Sequence, residues 1–217
     1  MSLLTMLFMN KKKTIQIGDE LPFGTYLQEG DTPTKVDWII LHIADGKALL
    51  ISKYALITTG YCETHIKSFK QLEWEGCLAR KKCRQFFVDC FSRSERAAIC
   101  EKKIELNGFG MDCLDHVFLL SEEEVKKYLP SSEKRKCKPT PKAKAAGART
   151  GWTDDTRDYT SWWILPECER GGGMIYPKAV FQMGEIHFHG RNVYHSDFCL
   201  RPSILVEIDK LQEGMNS

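Results

Sequence analysis

The pair His187-Phe188-His189 and nine cysteines are the residues of this chain whose types could carry metal or nucleophilic chemistry. On an extended segment the two imidazoles point to one face and Phe188 to the other. His195, Asp197, Cys168 or Cys199 could then complete a coordination sphere. A zinc ion asks for four ligands in a closed tetrahedron, and the spacing names no third one, so no metal site is assigned. The cysteines are Cys62, Cys77, Cys83, Cys90, Cys100, Cys113, Cys137, Cys168 and Cys199. Their number is odd and no two form a C-x-x-C pair, the usual mark of a zinc site or a redox dithiol. A thiolate nucleophile would need a paired base, which no local pattern supplies. The cysteines therefore read as buried free thiols in a reducing compartment, with Cys83 and Cys90, seven apart, on one face of a helix. There is no G-x-S-x-G, H-E-x-x-H or Walker loop, and Gly171-Gly172-Gly173 reads as a flexible turn. No catalytic residue and no cofactor is assigned.

Three stretches of different character must position these residues. The first third reads as β: Ile15 and Ile17 alternate before the Gly18-Asp19 turn, and Phe23 to Tyr26 follow. Val36 to Leu41 and Ala48 to Ile51 flank Asp45-Gly46, a strong hairpin signal. The middle third reads as α, with one helix over Leu72 to Phe91 and another over Ser94 to Lys103. Ser121-Glu122-Glu123-Glu124 is a capping box that opens a helix with Val125 and Tyr128 inward, and Pro130 stops it. Val117 to Leu120 is a short buried strand or a lead-in to that helix. Between Ser131 and Thr150, seven basic side chains face only Glu133, with no aromatic residue, so this stretch reads as a solvated connection and not a nucleic-acid surface. The last third is β-like and aromatic, with Trp162 and Trp163 as core anchors and Leu205 to Ile208 as a closing strand.

Composition bounds the function classes. The 217 residues are 42% hydrophobic and 28% charged, with a net charge of +2. That is globular composition without the charge excess of a polyanion binder or an acidic tail. No stretch approaches the roughly 20 apolar residues of a membrane span. The N-terminal MSLLTMLFMNKKK places its lysines after the apolar run, the reverse of an export signal, and reads as a first strand or a mobile end. A cytoplasmic or phage-associated location is the expectation. No repeat with a 20–50-residue period is evident, so one domain over 1–217 is expected, with 1–150 as scaffold and 151–208 as a β-rich C-terminal portion.

Several segments, in order along nearly the whole chain, share one likeness. They are Gly18 to Tyr26, Trp38 to Leu41, Ala48 to Leu56, Trp74-Glu75 with Cys77, Leu78 and Arg80, Ser94 to Ile99, and His116 to Ser121. Cys137 to Thr140, Ala143 to Ala148, Ser161 to Trp163, Met183 to Ile186, His189-Gly190-Arg191-Asn192-Val193 and Leu200 to Ile204 continue it. This pattern resembles a bacterial and phage family of unknown function, domain of unknown function 6273. The resemblance implies an α+β, C-type-lectin-like fold related to formylglycine-generating domains: a small twisted antiparallel sheet with flanking helices and an irregular ligand-facing surface. It also implies binding without catalysis, as in the variable proteins of diversity-generating retroelements. The E-P-N and W-N-D calcium motifs of animal lectins are absent, so calcium-dependent sugar binding is not implied.

The departures from the family pattern fall in one place. Ile164-Leu165-Pro166-Glu167-Cys168 stands where family members have L-R-S-P-G, and Cys199 and Leu200 replace a glycine and a valine. From Ile186 to Leu205 there is no Lys, Glu, Gln, Met or Trp, the types that a codon ending in C cannot encode, although Gln182, Met183 and Glu185 just upstream do not fit. A variable segment over 164–199 is therefore expected. Its candidate ligand contacts are Ile164, Glu167, Tyr176, His187, His189, Arg191, Tyr194, His195, Asp197 and Phe198, a mixture of aromatic anchors and adaptable polar groups. The expected partner is a protein or cell-surface ligand, with no nucleic acid, and the oligomeric state is left open. Two alternatives stand beside this reading: a metal- or cysteine-dependent enzyme of the formylglycine-generating architecture, and a structural domain of a phage or surface assembly.

Overall fold

A computed structural model describes residues 15–63, 73–105, 112–168, 175–188, 193–194 and 196–215. The apolar N-terminal run and the Gly171–Gly173 turn lie outside the described residues. Strands β1 (Glu20–Tyr26), β2 (Thr34–Ala44) and β3 (Lys47–Ser52) form an antiparallel meander. The β2–β3 turn is the expected Asp45-Gly46, with φ of 50° and 69°. Two successive positive φ values match the right-handed twist of the flanking strands, which is why this dipeptide closes hairpins. Val36, Trp38 and Ile40 alternate inward along β2.

The remaining strands of this sheet come from far along the chain. β15 (Ser203–Glu207) pairs with β3 from Ser203↔Ile51 to Glu207↔Lys47, and β5 (Ile99–Cys100) and β8 (Val117–Phe118) pair with β15. Helix α1 (Leu78–Cys90) covers the sheet with Ala79, Cys83, Phe86 and Cys90, one stripe at helical spacing. The expected pairing of Cys83 and Cys90 on one buried face is realised. Phe23, Trp38, Phe86 and Phe91 pack beneath it, with ring centroids 5.4–6.4 Å apart.

Helix α2 (Arg93–Ala98) opens with a capping box at Ser92 and Glu95. It stops at Ala98, five residues short of the helix expected through Lys103, because Ile99 and Cys100 are taken by the edge of β15. β6 (Lys102–Ile104) then pairs with β7 (Cys113–Asp115). Helix α3 (Glu122–Tyr128) carries the second capping box, Ser121 with Glu124, as expected, and Val125 is buried. The Ser131–Thr150 stretch departs from the expectation of a solvated connection. It forms two short helices, α4 (Ser132–Arg135) and α5 (Pro141–Ala145), and buries Cys137, Thr140, Ala143 and Ala148. Lys134, Lys138, Lys142, Lys144 and Arg149 are exposed, Arg135 Nε donates to the Gly184 carbonyl at 2.7 Å, and the small residues and backbone are clamped: Ala55 N–H donates to the Lys138 carbonyl at 3.0 Å, and Thr140 N–H to the Ala55 carbonyl at 3.0 Å.

A second sheet has the order β13 (Ile186–Phe188), β12 (Lys178–Val180), β9 (Trp162–Trp163), β14 (Cys199–Leu200) and β4 (Ile57–Thr58). Its β14–β9 pair is parallel and the others antiparallel. β10 (Glu167–Cys168) and β11 (Ile175–Tyr176) form a separate ribbon. The chain crosses between the two sheets at Ser52 and at Arg201-Pro202, which are stitched together: Ser52 N–H donates to the Pro202 carbonyl and Arg201 Nε to the Ser52 carbonyl, both at 2.9 Å. The buried Arg201 guanidinium also lies 5.3 Å from the Trp162 ring. The closing strand continues into a helix not foreseen from sequence, α6 (Ile208–Met215), whose Leu211 is buried. The architecture is α+β, with predominantly antiparallel sheets and short helices. Among the described residues no helix is long and apolar enough to cross a membrane.

Candidate ligand-binding surface

The second sheet is built on its tryptophan pair. Trp162 and Trp163 are fully buried, and each indole N–H donates to a distant backbone carbonyl at 3.0 Å, Trp162 to Arg135 and Trp163 to Thr59. A buried indole needs that acceptor, so each ring fixes a loop that would otherwise float. From Trp163 a row of rings runs outward. Tyr61 and Phe198 flank it at 5.7 and 4.8 Å, Phe181 meets Phe198 edge-on at 5.5 Å, and His187 meets Phe181 edge-on at 5.3 Å.

This row sorts the candidate contacts. His187 stands at its exposed end, with Nε2 2.9 Å from Glu185. Tyr194 is 45% exposed, and its backbone is seated against Gly60, where a Cβ would come within 3.1 Å of Tyr194 Cα. Cys62 N–H donates to the Val193 carbonyl at 3.0 Å, so the 193–194 turn is anchored by glycine contact and by backbone bonding. Asp197 is half-buried, 3.9 Å from Arg149. Glu167 and Tyr176 are register partners across the β10–β11 ribbon. His189, Arg191 and His195 lie outside the described residues.

Two candidates belong to the interior. Ile164 is 0% exposed and Phe198 6% exposed. Ile164 follows directly on β9 with its N–H bonded to the Lys178 carbonyl, and Phe198 is wedged between Trp163 and Phe181. Both act as supports and neither presents a side chain for contact. Sequence inspection pointed the other way because an apolar residue in an irregular segment has no periodicity to reveal which face it takes.

Of the residues that could carry metal or thiol chemistry, His189, His195 and the Cys168 side chain lie outside the described residues. Among the described residues no group of three or more His, Cys, Asp or Glu side chains could hold a metal ion. Cys77, Cys83, Cys90, Cys137 and Cys199 are buried thiols. Burial pushes the Cys62 thiol up to about 12 and those of Cys77 and Cys199 up to about 11, and raises Cys83 and Cys137 as well. A thiol held protonated at neutral pH is a poor nucleophile.

One exposed feature escaped the sequence reading. Trp152 is 83% exposed, with the Arg149 guanidinium 4.8 Å from its ring. The turn that carries it is tight: Gly151 N–H bonds the Thr156 carbonyl, and Thr153 N–H bonds Thr156 Oγ1, both at 3.2 Å. A Cβ at Gly151 would lie 2.2 Å from Thr156 Oγ1, so only glycine fits. Arg149 N–H donates to the Asp197 carbonyl at 2.9 Å, which joins this turn to the candidate surface. The Gly-Trp dipeptide followed by an acidic turn was the available signal.

The fold and surface define a mixed α+β domain in which exposed aromatic and ionic side chains stand on short strands and turns around one sheet. The chain belongs to the family described as Domain of unknown function (DUF6273), whose profile matches residues 45–208, more than half of the chain. The match begins inside the β2–β3 turn and ends after β15, so it takes in the second sheet whole. No curated protein and no solved structure matches the chain.

Proposed function

We propose that this protein is a non-catalytic binding module with a C-type-lectin-like fold, whose segment 164–199 displays a surface diversified by a retroelement toward a protein or cell-surface ligand. The observation that supports this reading is the division within the segment and its borders. Trp162, Trp163, Val180, Val193, Cys199 and Leu200 form a buried frame, while Glu185, His187 and Tyr194 between them are exposed. A rigid frame carrying adaptable aromatic and polar side chains is the chemistry of paratopes. The restricted residue alphabet from Ile186 to Leu205 is what randomised codons ending in C would leave.

The test is sequencing of this gene across its source population. Substitutions confined to codons 164–199, at template adenines and at exposed positions, are the expected result. A uniform gene, or changes that fall equally on Trp162, Trp163 and Leu200, would sink the proposal. Once a ligand is selected, Tyr194→Ala is expected to weaken it by about tenfold or more, the cost of losing an aromatic hot spot. Phe198→Ala is unsuitable for this purpose, because it would report on the core and not on contact.

A further inference from the structure

A cavity lies where the end of β1, strand β4, the last turn of α1 and helix α5 meet; its volume is about 410 Å³. Gly24 makes this junction possible. At φ 71° it forms a bulge in β1, and a Cβ there would lie 2.7 Å from Cys90 Sγ and from the Phe91 ring. The strand therefore presses directly on the end of α1, and the next residues, Thr25 and Tyr26, turn into the cavity wall. The Tyr26 ring is fixed edge-on against Phe86 at 4.8 Å. Burial raises its phenol above the usual value, so it remains an O–H donor. Leu56, Ile57 and Ala143 give the cavity an apolar side. Thr58 adds no free hydroxyl donor, since its Oγ1 already donates to the Ala143 carbonyl at 2.7 Å.

Two opposite charges line the same cavity. Asp89, in the last turn of α1, accepts from Gln85 Nε2 at 2.7 Å and has no cationic partner among the described residues. Lys142, in the first turn of α5, is anchored by its backbone N–H to the Gln28 carbonyl at 2.8 Å, and its ammonium has no carboxylate partner among the described residues. The two are not paired with each other either. A carboxylate and an ammonium held by different helices over one apolar wall are complementary to a small molecule that carries an ammonium, a carboxylate and an apolar side chain. The volume falls in the range of small-ligand clefts. We infer that this cavity binds a small zwitterion with an apolar side chain, a free amino acid or dipeptide, with Asp89 taking its ammonium, Lys142 its carboxylate and Tyr26 a hydrogen bond. This inference is independent of the proposed variable surface.

The test is calorimetric titration of the full chain with L-leucine and L-leucyl-L-leucine, alongside N-acetyl-leucine and leucinamide, each of which lacks one charge. Saturable binding of at least one zwitterion is expected, with both singly charged analogues weaker by about tenfold or more. Asp89→Asn should weaken the zwitterion yet leave N-acetyl-leucine unaffected, and Lys142→Gln should weaken it yet leave leucinamide unaffected. Both residues are exposed, so the variants should melt with the parent. Absence of heat up to about 10 mM of either zwitterion, or equal binding by parent and both variants, would overturn the inference.

Discussion

The two sheets solve the same problem, burying one apolar face, by opposite means. The first uses strands of six, seven and eleven residues in β3, β1 and β2, with Val36, Trp38 and Ile40 alternating inward along β2 and the β2–β3 turn specified locally. The second is assembled from strands of two or three residues drawn from positions 57 to 200. So few ladder bonds cannot hold a sheet alone. Its order comes from side chains that reach across: the two indoles, the Arg201 stitch and the Lys178–Glu122 ion pair that ties β12 to the start of α3. Short strands leave long connections, so the sheet least supported by its own backbone carries the exposed aromatic and ionic groups. Loops held by a rigid frame are where binding residues concentrate.

The largest expected effects test whether the sheets are separable. Trp38→Ala and Trp163→Ala each remove a fully buried indole and orphan a carbonyl, that of Phe23 or of Thr59, and each should cost about 3–5 kcal/mol in urea unfolding. Hydrogen exchange distinguishes them. Trp163→Ala should free the amides of β9, β12 and β14 while β2 and β3 stay protected; uniform loss of protection would make the two sheets one cooperative unit. Gly184→Ala comes next. Gly184 sits at φ 81°, and an added Cβ would lie 2.0 Å from the Ser132 carbonyl, so a loss of about 2 kcal/mol is expected, again in the second sheet. A thermal melt unchanged by this substitution would mean that the β12–β13 turn does not depend on its contact with α4.

Smaller effects sharpen the comparison from the helix side. Ser92→Ala and Ser121→Ala each break a capping box and should cost about 1 kcal/mol by chemical denaturation. The acid limb offers a matched pair of carboxylates. Burial alone would raise the Glu95 carboxyl, yet the Ser92 amide and hydroxyl, the Gly24 amide and Lys35 hold it below the usual 4.5. For Glu122 burial is likewise outweighed, by Lys126 and Lys178. A carboxyl depressed on folding contributes stability that is complete above its unfolded value and lost as pH falls through its folded one. Stability should therefore decline below about pH 4.5, with Glu95→Gln removing the part of that decline tied to β1 and Glu122→Gln the part tied to β12. An acid limb unchanged by Glu122→Gln would remove that ion pair from the supports of the second sheet.

Legibility followed the range of the signal. The Asp45-Gly46 hairpin, the Ser121–Glu124 capping box and the stripe that includes Cys83 and Cys90 were readable because each is decided by residues within a turn or two. The end of α2 was not, because nothing between Ser94 and Lys103 announces that Ile99 will pair with Val206. The basic stretch misled for a related reason: most of its lysines are solvated, but the Cys137, Thr140 and Ala143 between them are buried against residues 53–58 from another part of the chain.

By itself the sequence determined the mixed α+β class, the family, the tryptophan anchors and the general location of an irregular C-terminal surface, because composition, turn chemistry and motif order are properties of short segments. Only the tertiary structure decided which residues of that surface face outward. Ile164 and Phe198 turned in, His187 and Tyr194 stayed out, and Trp152 joined them from outside the segment. It also brought Asp89 and Lys142, 53 positions apart, to one cavity. The physical reason lies in the second sheet: a two-residue strand such as β14 carries no period, and its faces exist only once Cys199 has paired with Thr58 on one side and Trp162 on the other.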